Sequence, residues 1–82
     1  MGSKYPDGLR RTAPTDATVT DYDRAHLQDY IRLLDARAAG MSGDDMCRAI
    51  LEIDPAAEGA QATLRSHLER ASWMSSEGFR QI

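Results

Sequence analysis

Apolar residues recur at helical spacing through most of the chain. Leu27, Tyr30, Ile31, Leu34 and Ala38 fall at i, i+3, i+4, i+7 and i+11, one face of a 3.6-residue period, and predict a first helix from about Asp21 to Ala39. Thr20 or Asp21 can accept hydrogen bonds from the first-turn amides, and Asp23 suits the positive end of that helix. Gly40 then supplies the left-handed residue that commonly ends a helix.

After Met41-Ser42-Gly43, Ser42 or Asp44 can cap a shorter second helix whose apolar face is Met46, Ala49, Ile50 and Ile53. It should stop at Asp54-Pro55, because the residue before proline is pushed out of the α region. "DPAAEG" reads as one loose turn capped by Asp54, interrupted by Gly59. A third helix follows from about Ala60 to Met74, with Ala60, Leu64, Leu68 and Ala71 inward. Ser75 or Ser76 can cap a last turn whose Phe79 and Ile82 would fold back over the core. No strand-like alternation, sustained heptad or internal repeat accompanies these elements. The expected fold is all-α, a small three-to-four-helix bundle. Its second and third helices form a helix-turn-helix variant with an extended turn, since roughly six residues separate them rather than the usual three or four.

The first 19 residues lack such a pattern. Rich in Pro, Gly, Thr and Asp, they hold too little apolar surface to offset the entropy of ordering, so residues 1–19 are expected as a flexible N-terminal tail and residues 20–82 as one domain. Eighty-two residues permit a single small core, and a 6% aromatic content leaves little for a deep catalytic pocket. An enzyme is not expected. A single cysteine, Cys47, rules out an internal disulfide and fits a reducing cytoplasm. No apolar run approaches the roughly 18 residues of a membrane span, and no apolar h-region marks a secretory signal. The cytoplasm is therefore the expected location.

Charge is uneven. The net −3 divides into +1 over residues 1–20, −5 over residues 21–58 and +1 over residues 59–82. Metal, cofactor and nucleophile signatures are all missing. His26, Cys47 and His67 lie about twenty residues apart, far from any metal-ligand spacing, and Gly40 and Gly43 flank no phosphate loop. The third helix does carry side chains able to read DNA, with Arg65, His67 and Arg70 foremost. Against that stand −4 over residues 21–82 and no lysine there, so counterion release would gain little. Tight nucleic-acid binding is not expected. Several bulky side chains, among them Tyr22, Leu33, Trp73 and Phe79, exceed what one small core needs and are of types that anchor protein interfaces.

The stretches "HLQDYIRLLDARAAG", "ILEIDPA" and "SHLERASWMSSEGFRQI" resemble a family once known only as a domain of unknown function, an extended-turn variant of the helix-turn-helix. The resemblance covers about residues 20–82. In that family the domain occurs in transcriptional activators on mobile elements, where it binds DNA through a basic face and packs by another face on an N-terminal domain. Some members are lone domains that inhibit those activators. Asp44-Asp45 at the head of helix two, the few basic residues on helix three and the lack of a partner domain make this chain similar to the lone-domain antiactivators. The resemblance implies a monomer without cofactor, binding the N-terminal domain of a mobile-element activator, a quorum-sensing activator included. The expected docking residues are Tyr22, His26, Leu33, Arg37, Trp73 and Phe79. The alternative is a small DNA-binding regulator using Arg65, His67 and Arg70.

Overall fold

A reciprocal cap opens the helical body. In the computed structural model, which describes residues 8–81, Thr20 Oγ1 accepts from the Asp23 amide at 3.1 Å and Asp23 Oδ2 accepts from the Thr20 amide at 2.9 Å. Helix α1 spans only Asp21–Ala25. The single helix expected to Ala39 breaks at His26, whose φ of −109° and ψ of 16° leave the α region, and α2 resumes over Leu27–Ala38. At the break the His26 ring stacks on Tyr22 and its Nε2 reaches the Gly8 carbonyl at 3.1 Å, contacts that a long-range pattern cannot encode. Gly40, at φ 85°, ends the helix as expected, with the Met41 amide bonded to the Ala36 carbonyl.

Helix α3, Gly43–Met46, is capped by Ser42 Oγ, which accepts from the Asp45 amide at 3.1 Å, and runs directly into a π-helical turn over Cys47–Leu51. The wider turn brings Cys47 and Leu51 inward beside Met46, Ile50 and Ile53, while Ala49, expected on the apolar face, is exposed. The helix ends at Glu52 in the left-handed region (φ 59°), two residues before the expected Asp54 stop. Asp54 then closes a turn by accepting from the Ala56 amide at 2.9 Å. Gly59, at φ 83°, leads into α4, Ala60–Ser76. A 3-10 turn over Gly78–Gln81 is the last element of the described residues. The described residues are thus all-α, without a strand, and none of their helices is long and apolar enough to cross a membrane.

Two apolar clusters share α2 between them. Leu33 and Ala36 join Met46, Cys47, Ile50, Leu51, Ile53, Ala60 and Leu64. Tyr30 instead joins Ala71 and Met74, with Leu27, Leu34, Val19 and Trp73 at the margin. The buried stripe of α2 is therefore Tyr30, Leu33 and Ala36; of the face expected from periodicity Tyr30 alone is fully buried, Leu27 and Leu34 are half-buried and Ile31 and Ala38 are exposed. Apolar residues lie around so much of this helix that pattern alone does not tell which arc the first cluster takes. The inward face of α4 holds the expected Ala60, Leu64 and Ala71, but also Thr63, His67 and Arg70, with Leu68 half-buried.

The N-terminal segment differs most from expectation. Residues 8–19 have no regular secondary structure, yet they lie as a strap across α1 and α4 with Ala13 and Pro14 buried. Composition argued against order because it counts apolar surface. The strap is held instead by hydrogen bonds between its main-chain amides and carbonyls and side chains of the helices and the terminal turn. Residues 1–7 of the expected tail and Ile82 of the expected last turn lie outside the described residues. Ser75 and Ser76 cap nothing; their hydroxyls bond back to carbonyls of Ser72 and Trp73. In place of a folded-back Phe79, it is Gly78 that is buried.

Candidate functional site

The polar centre of the molecule joins α1, α2, α4 and the strap. Asp23 is wholly buried and its carboxylate accepts from the Thr20 amide and hydroxyl, from Tyr30 Oη at 2.7 Å, and from Arg70 Nε at 3.0 Å and Nη2 at 2.7 Å. Burial by itself would raise the Asp23 carboxyl. The Arg70 guanidinium and the Thr20 and Tyr30 donors outweigh burial and hold it at about 2, against an ordinary 3.8. Arg70 donates onward to the carbonyls of Asp16 at 2.6 Å and Thr18 at 3.0 Å, and its guanidinium lies 3.9 Å from the centroid of the Trp73 ring. Every buried side-chain polar atom among the described residues has a partner.

A second polar chain runs beside it. The Thr63 carbonyl can only accept, so the proton of His67 sits on Nδ1, 2.8 Å away. His67 Nε2 then accepts from the Tyr22 hydroxyl at 2.6 Å, and the Tyr22 oxygen in turn accepts from the Arg10 amide at 3.1 Å. Burial pushes His67 below its ordinary value and outweighs the Thr63 bond, which acts the other way. Burial likewise pushes the Tyr22 phenol up.

These two networks decide what the predicted residues can do. Of the DNA-reading trio, His67 and Arg70 are buried and saturated, and only Arg65 faces solvent, with exposed Glu69 one turn on. The strap covers the side of α4 on which Ser66 and Arg70 lie. Of the docking set, Leu33 is wholly buried in the first cluster and offers nothing to a partner. Tyr22, His26 and Trp73 are half-buried against one another's neighbours and the strap. Arg37 and Phe79 are exposed, Phe79 by 57%.

Phe79 does not stand alone. It borders an open apolar groove of about 320 Å³ between α2 and the end of α4, lined also by Leu27, Tyr30, Ile31, Leu34, Ala71, Met74 and Ser75. Ile31, 53% exposed, belongs to the same wall. An exposed aliphatic and an exposed aromatic flanking one groove form the type of surface that anchors a protein partner. Sequence reasoning placed Ile31 and Leu34 in the core and so missed this wall. The available signal was that α2 carries more large apolar side chains than a single inward stripe can use.

The acids at the head of α3 tell a plainer story. Asp44 accepts from Gln61 Nε2 at 3.0 Å, and Asp45 pairs with Arg48 at 3.3 Å, both at the surface. No family model matches the chain, and no curated protein matches it.

Proposed function

We propose that the protein is an antiactivator. It binds the N-terminal domain of a mobile-element transcriptional activator in competition with the activator's own related domain, and so represses transfer of an integrative and conjugative element, acting in the cytoplasm. The reading rests on the resemblance of residues 20–82 to the lone-domain members of the extended-turn family. The observation that supports it is the apolar wall of Ile31 and Phe79 beside the groove, on a molecule whose helix α4 leaves Arg65 as its one outward arginine. Binding would then come from apolar anchors, with the exposed acids Asp44 and Asp45 repelling DNA. Because the displaced domain is tethered within the activator, the inhibitor has to bind tightly or be abundant.

A pull-down against the activators of the source replicon tests the reading. Phe79→Ala and Ile31→Ala should each weaken capture by about 2 kcal/mol, roughly thirtyfold, at unchanged thermal midpoint. Failure to bind any of those activators would remove the proposal. Salt-sensitive binding to duplex DNA at submicromolar protein would replace it with the DNA-binding regulator.

A further inference from the structure

The strap is held in an unusual manner. Seven of its main-chain groups bond to side chains of the helical body: the Gly8 carbonyl to His26, the Arg10 amide to Tyr22, the Ala13 amide to Ser66, the Asp16 and Thr18 carbonyls to Arg70, and the Ala17 carbonyl and Val19 amide to Gln81. Bonds of this type read main-chain groups along a path and not a particular sequence. The strap's own side chains contribute little selectivity. Ala13 and Pro14 are buried and Leu9 rests against the first cluster, but Arg11, Thr12, Thr15, Asp16, Ala17 and Thr18 point to solvent. Nor does the strap fill its bed. An open recess of about 460 Å³ remains between strap residues 12–17, Asp16 among them, and Ser66, Glu69, Arg70 and Trp73.

We propose that this channel across α1, α4 and the terminal turn is a binding site for a peptide segment that follows the strap's path, closed in cis by residues 8–19. The partner is a segment of another protein, without helical or strand structure there, carrying a small residue followed by proline, the chemistry of Ala13-Pro14 that the channel buries. The donors and acceptors are set by side chains that the folded body already fixes. Arg70 is locked by Asp23 and Trp73, and Tyr22 by His67. An incoming backbone therefore meets a site in place, and only the tethered strap competes with it. That tether gives the strap an effective concentration in the millimolar range, so a free peptide is excluded until the strap lets go. The inference stands apart from the antiactivator reading, which concerns the groove on the α2 side.

The test uses the full chain and a synthetic peptide of residues 8–19. The double variant Ala13→Asp, Pro14→Gly should free the strap, because Asp16 and Glu69 already line the recess that a third carboxylate would enter. Trp73, on the wall of that recess, reports occupancy by its emission. The peptide should bind the double variant at least about tenfold more tightly than it binds the wild type, the factor by which cis occupancy lowers the competent fraction. Adding Ser66→Ala, which removes the acceptor for the Ala13 amide, should weaken that binding several-fold. Equal binding to variant and wild type, or none to the variant, overturns the proposal. So does a variant whose Arg10, Ala13 and Val19 amides stay protected from hydrogen exchange. A variant that loses its helical circular dichroism overturns it as well, since the strap would then be part of the fold and not a removable occupant.

Discussion

Replacing Asp23 by Asn removes one atom's identity and leaves its shape, which makes it a sharp test of the buried network. The carboxylate now takes five hydrogen bonds and neutralises a guanidinium only 5% exposed. An asparagine oxygen can keep the bonds on one side. Its amide nitrogen would face donors on the other, and Arg70 would be left charged and unpaired. Breaking a buried pair from one side costs about 3–5 kcal/mol. A domain of this size has roughly 4–12 kcal/mol in all, taking about 0.05–0.15 kcal/mol per residue. Asp23→Asn should therefore lower the urea midpoint by about 2 M or more, followed by Trp73 fluorescence and circular dichroism. The pH dependence gives a second check. Because the Asp23 carboxyl is held at about 2 in the folded chain against 3.8, its stabilisation is complete above pH 4 and is lost as pH falls from about 4 through 2. That acid loss, on the order of 2 kcal/mol, should be missing from the Asn variant. Replacing both partners, Asp23→Leu with Arg70→Met, should cost less than Asp23→Asn alone. A loss below about 1 kcal/mol in the single variant would refute the network as described.

Gly78→Ala should destabilise by about 1–3 kcal/mol, because the added Cβ would lie 2.6 Å from Met74 Sδ and 2.8 Å from Trp73 Cζ3; a thermal midpoint equal to wild type would contradict this packing. His67 supplies a pH dependence of opposite origin. Its folded value lies below 6.5, so the unfolded chain takes up the proton first and stability falls as pH drops below about 6.5, with no contribution above it. Urea midpoints should decline across that window in wild type and not in His67→Gln, and an identical decline in both would assign the effect to another group.

Local signals in the sequence were read where a single residue carries the instruction. Gly40, Ser42, Asp54 and the four-residue steps of α4 all act within one turn of themselves, and the structure places them as their chemistry requires. Pattern alone assigns Asp23 to a cap and His67 and Arg70 to the surface, because a polar residue on a helix is usually solvated. What buries them is a set of partners up to 54 positions away, and no window along the chain contains both ends. The same holds for the strap, whose order comes from main-chain groups common to every sequence. The groove was half legible. Composition marks Phe79 as an interface type while its spacing sends it back over the core, and periodicity assigns Ile31 and Leu34 inward, because α2 has apolar residues on both sides of the stripe it buries.

Arg70 ties the strap and α1 to a residue only twelve positions from the end of the sequence given, across separations of 47 to 54 residues. A nascent chain emerges N-terminus first, at about 5–20 residues per second. Until Arg70 and Gln81 have been made, residues 16–19 lack the side chains they bond to and Asp23 has no counter-ion. The strap can therefore take its final place only after α4 and the terminal turn have emerged. Closing so long a loop before any reward also places this step late in the folding of the released chain. A cell making this protein carries, for each copy, a short interval in which residues 8–19 are open to proteases.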